Sequence, residues 1–61
     1  MEFMVKTFDS ATRTTVVVEA SSVGTVADDL PCTTWKKREG LDVWDGYTDW
    51  VHTHTIYRKD W

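Results

Sequence analysis

Sixty-one residues, ten of them acidic and seven Lys or Arg, leave room for one domain spanning residues 1–61 with a formal net charge of −3. The acidic balance argues against nonspecific binding to nucleic acid or anionic lipid, both of which need a positive field. A lone cysteine, Cys32, excludes an internal disulfide, and no apolar run reaches the ~20 residues of a membrane span.

Residues 3–8 (FMVKTF) alternate Phe3, Val5 and Thr7 against Met4, Lys6 and Phe8. Residues 13–20 (RTTVVVEA) are rich in the β-branched side chains that suit a pleated strand. The turn-forming DSAT (9–12) between them predicts a hairpin. Ser21-Ser22 then offers an N-cap, and Val23, Val26, Ala27 and Leu30 make one apolar stripe on a helix near 22–30, ended by Pro31. Gly24 weakens that helix, and Asp28 and Asp29 oppose its dipole, so packing must hold it.

The second half returns to β chemistry. With REGL (38–41) as a loop, 33–37 pairs with 42–46, placing Trp35 opposite Trp44 and Lys37 opposite Asp42. Asp45-Gly46 predicts a two-residue hairpin turn with Trp44 opposite Tyr47 and Asp42 opposite Asp49. The last strand, 49–58, carries Trp50, His52, His54 and Ile56 on one face and Val51, Thr53, Thr55 and Tyr57 on the other.

In so small a core, Trp35, Trp44, Trp50 and Trp61 read first as buried bulk and second as contacts for a partner. His52-x-His54 puts two imidazoles on one strand face, a geometry zinc can use, but a site needs three or four ligands and only this pair has the spacing. Cys32, a histidine and an Asp make the inventory of a thiol hydrolase without any local signature. Trp35-Lys36-Lys37-Arg38 combines an aromatic with cations, as a nucleic-acid module does. Glu39, Asp42, Asp45 and Asp49 form an acidic rim beside Trp44, Tyr47 and Trp50, which suits a basic partner or solvated turns.

The order strand, strand, helix and three strands is that of the β-grasp fold. The opening thirty residues resemble the ubiquitin-like family without gaps, with Met1, Val5, Lys6, Thr7, Thr12, Thr14, Val17 and Val26 as identities and Phe3, Val23 and Leu30 apolar where that family is buried. HTIYR (54–58) is similar to the family's last strand, whereas 31–50 shares no motif and the chain ends RKDW without Gly-Gly. The resemblance implies an α+β domain, a small β-grasp whose mixed sheet packs on one short helix. It also implies partner binding on the outer sheet face, at Phe8, His54 and Ile56 with Trp50 beside them. Alternation directs Phe3, Val5 and Val17 to the helix and Met4, Lys6, Phe8, Val16 and Val18 away from it.

The expectation is therefore a cytoplasmic, non-enzymatic protein-interaction module without a cofactor or membrane contact. It would act as a small inhibitor or adaptor of the kind viruses and phages encode, with a homodimer through the outer sheet face allowed. The alternative is a nucleic-acid- or metal-binding module using Trp35-Lys36-Lys37-Arg38 or His52 and His54.

Overall fold

The computed structural model describes residues 1–8 and 13–59. The turn expected at 9–12, the Thr12 identity and the expected core position of Trp61 lie outside the described residues. Five strands and one helix follow in the order β1 (Glu2–Phe8), β2 (Arg13–Glu19), α1 (Val23–Asp28), β3 (Thr34–Lys37), β4 (Val43–Thr48) and β5 (Val51–Arg58). They form one five-stranded sheet in the spatial order β2-β1-β5-β4-β3. Every neighbouring pair in it is antiparallel.

This corrects the expected α+β β-grasp with its mixed sheet. The protein is mostly β, its sheet is antiparallel throughout, and its helix has six residues. The short middle of the chain supplies the reason. Parallel neighbours need a long crossover, but residues 34–58 run as a meander of three strands with short connections. The segment containing α1 crosses the sheet once, and the meander then returns β5 antiparallel to β1.

Side-chain alternation puts Phe3, Val5 and Ile56 on one face, where α1 covers them with Val26; these four are the buried apolar core. Val18, Ala20, Val23, Ala27, Leu30, Trp35 and Trp44 pack around them half-buried. Burying Val26 contributes roughly 1.5–3 kcal/mol, enough to hold a helix that propensity alone would not. Ser22 caps it, its Oγ accepting from the Thr25 N–H at 3.4 Å. At the other end the Asp29 N–H donates to the Val26 carbonyl in a tightened last turn.

The phase expected for β2 is reversed. Phe3 pairs with Val18 and Val5 with Val16, so Val18 joins the core while Val17 lies opposite Met4 on the other face, 47% exposed. A slip of one residue in a strand turns every side chain over. With valine at 16, 17 and 18, both phases offer apolar groups to the core.

The Asp45-Gly46 turn is also corrected, because both residues lie inside β4. Trp35 pairs with Gly46 and Lys37 with Trp44, two residues from the expected register. A Cβ on Gly46 would stand 2.6 Å from Cys32 Sγ and 2.7 Å from the Trp35 ring. Glycine is needed here for a close approach, not for a turn. The β4–β5 turn falls on Asp49 and Trp50, both with positive φ (50° and 67°), which is the sign pattern of a type I′ turn.

Candidate interaction surface

Among the described residues no helix covers the face of the sheet opposite α1. The side chains of this face form cross-strand rows, the one nearest the β4–β5 turn running Arg13, Phe8, His52, Tyr47. The Phe8 and His52 ring centroids are 5.0 Å apart and those of His52 and Tyr47 5.4 Å apart, so three rings touch in sequence across β1, β5 and β4. Cations stand at the ends of this row, Arg13 6.0 Å from the Phe8 ring centre and Lys36 5.6 Å from that of Tyr47. Farther along the sheet Lys6 lies 5.5 Å over Tyr57, beside Met4 and Val17.

Asp45 organises the middle of this face. Its carboxylate accepts Arg38 Nε at 2.8 Å and a second Arg38 nitrogen at 3.0 Å, and it accepts the Thr55 hydroxyl at 3.0 Å. Thr55 thereby uses its only proton, which leaves His52 Nε2, 2.8 Å away, as the donor to Thr55. Hydrogen bonds from Arg38 hold the Asp45 carboxyl below its ordinary range against the cost of burial, with Thr55 and the charges of Arg38 and His52 adding to the effect.

Lys6, Arg13, Lys36 and Arg38 thus share the face with the carboxylate of Asp45. Glu2 and Glu19, at its far end, are matched by Lys59 at 3.6 Å and the Met1 ammonium at 2.6 Å. Asp28, Asp29, Glu39, Asp42 and Asp49 lie at the helix end and in the turns of the meander. An acidic protein therefore presents a cationic, aromatic sheet face.

A bulge separates the two histidines that alternation put together. Gly46 pairs with His54 and Tyr47 with His52, leaving Thr53 unpaired. His54 consequently turns to the helix face, where its Nδ1 lies 3.2 Å from Cys32 Sγ and 2.9 Å from Thr53 Oγ1. Thr48 closes the group, 3.1 Å from Thr53. Burial, and secondarily the positive charge of His52, push the His54 pKa down, which favours the neutral imidazole beside the thiol. Among the described residues no three His, Cys, Asp or Glu side chains converge as a metal site requires.

The residues expected at the partner surface divide. Phe8 is on the open face and Trp50, 89% exposed, is at the adjoining turn, whereas Ile56 (0%) and His54 (8%) are buried. The pleat divides Trp35-Lys36-Lys37-Arg38 as well. Trp35 and Lys37 lie on the helix side, while Lys36 and Arg38 reach the open face. The acidic rim does not assemble, because Trp44 packs toward the core, and Asp45 and Tyr47 belong to the open face. Tyr57 was not expected at this surface, Tyr47 was expected only beside the acidic rim, and His52 was placed on one face with Trp50, His54 and Ile56 without being named as a partner contact. Strict alternation through Asp45-Gly46, taken as strand, would have placed Tyr47 beside Asp45's face.

No protein-family model, curated protein or solved structure matches this chain. Among the described residues no helix is long and apolar enough to cross a membrane.

Proposed function

We infer that this protein is a non-enzymatic recognition module, a small inhibitor or adaptor, that grips a protein partner with the turn end of its open sheet face. Trp50 carries the reading: it is 89% exposed and holds a φ of 67°. A bulky side chain in the left-handed region costs about 1–3 kcal/mol and contributes almost nothing to the core when so exposed. Glycine would serve the turn better, so tryptophan at this place is explained by something outside the fold. Tyr47 and His52 flank the turn and continue into Phe8, giving one protruding anchor beside a row of rings. The fitting partner has an apolar pocket for Trp50 and an acidic rim facing Arg13, Lys6, Lys36 and Arg38. A cytoplasmic setting suits the free Cys32 thiol.

Copurification on tagged protein from the native cell identifies the partner, and titration calorimetry then gives its affinity for the wild type, Trp50→Gly and Phe8→Ala. Each variant should weaken binding by ~2 kcal/mol or more, about thirtyfold. Wild-type affinity in both would remove this face from the interface.

The three-ring row flanked by cations favours a second reading, a single-stranded nucleic acid stacked on Phe8, His52 and Tyr47. Fluorescence anisotropy with a labelled oligothymidine separates the two. Salt-sensitive binding lost in Tyr47→Ala but kept in Trp50→Gly would put the nucleic acid first.

A further inference from the structure

The two edges of the sheet are unlike. Strand β3 has four residues and carries Lys36 and Lys37, the usual protection of an edge. Strand β2 has seven residues, Arg13–Glu19, with neither lysine nor proline, and its central Val16 and Val17 are 51% and 47% exposed. Such a strand is a template for another strand.

We propose that β2 pairs antiparallel with β2 of a second copy, joining two sheets into one across a two-fold axis at Val16. Three features select a second copy rather than a foreign strand. The hydrogen-bonding groups match themselves. The Ala20 N–H donates to Met1 O at 3.0 Å, so alternation turns the backbone groups of Val18, Val16 and Thr14 toward β1 and those of Arg13, Thr15, Val17 and Glu19 outward. In the register centred on Val16 each outward residue meets an outward residue, Arg13 with Glu19 and Thr15 with Val17 of the other copy. The charges match themselves too, because this register sets Arg13 opposite the other copy's Glu19 at both ends. Finally, Val16 meets Val16 in a non-hydrogen-bonded pair, where side chains approach closest, and both valines leave water.

Glu19 also takes the Met1 ammonium at 2.6 Å, an exposed contact of little worth that leaves the carboxylate free to bridge. A two-fold axis normal to the sheet keeps both helices on one side and both open faces on the other. The dimer therefore presents one continuous surface of doubled width. The dimer does not rest on the partner proposed above: it shares only Arg13 with that surface, and self-association is measured without any partner.

Sedimentation equilibrium between about 1 mM and about 1 μM, the range over which a small interface dissociates, measures the association. The wild type should pass from dimer to monomer. Thr15→Pro removes an outward N–H without touching the bonds to β1, so it should keep its circular dichroism and raise the dissociation constant at least about tenfold. Arg13→Glu and Glu19→Arg should each weaken the dimer, and the double variant should restore it. A wild type that stays monomeric throughout, a dimer indifferent to Thr15→Pro, or a double variant no better than the singles would overturn the proposal. The charge-swap pair decides the matter if the proline variant does not fold.

Discussion

Gly46 sits inside a strand where a side chain would be expected to help, and its lack of one is what lets β3 close on β4. The Trp35 ring and the Cys32 thiol both lie within 2.7 Å of where a Cβ would be. Gly46→Ala must push a rigid indole outward, an overpacking that costs about 1–3 kcal/mol. A thermal melt should show a clear loss of stability. A melting temperature equal to the wild type would mean that Trp35 does not rest on this residue. Asp45, its neighbour, ties Arg38, His52 and Thr55 together from one half-buried carboxylate. The two residues that look most like a turn in the sequence are thus a close-contact point and a polar hub.

Among the elements, the β4–β5 hairpin shows the conflict between stability and recognition. Its turn residues, Asp49 and Trp50, hold φ values of 50° and 67°, for which Asp-Gly is a preferred pair. Trp50→Gly should therefore stabilise the fold by roughly 0.5–1 kcal/mol while weakening capture of the partner. Denaturant titration beside the binding assay checks both halves. A destabilised Trp50→Gly would show that the indole packs on the fold, which removes the reason for assigning it to a partner. In β5 the bulge at Thr53 does comparable work, sending His52 into the ring row and His54 to Cys32.

At the scale of the whole molecule, stability should fall in acid in two stages. Burial places the folded His54 pKa below the ordinary 6.5. Its contribution is full above that value and is lost as the pH falls from there through the folded pKa, because the unfolded chain takes the proton first. Asp45, also held low, loses its contribution only below the ordinary 3.8, toward its folded pKa. Melting temperatures between about pH 7 and about pH 5 should therefore drop, and His54→Gln should flatten that drop. An equal slope in wild type and variant would show that His54 does not titrate against burial.

Local patterns in the sequence set the strands and the helix. The β-branched run at 13–20, the alternation at 3–8 and the Val23/Val26/Ala27/Leu30 stripe each favour one backbone shape within a few residues. The outward side of Phe8 was legible for the same reason. Register and phase were not, since they depend on partners distant in the chain. Val17 could have faced either way until Phe3 met Val18, and Asp45-Gly46 reads as a turn until Trp35 requires the bare backbone of Gly46. One unpaired residue, Thr53, reversed the face of His54 and Ile56 relative to His52. The antiparallel direction of β1 and β5 likewise came from how a short meander closes on the first hairpin, a constraint of chain connection that no local pattern carries.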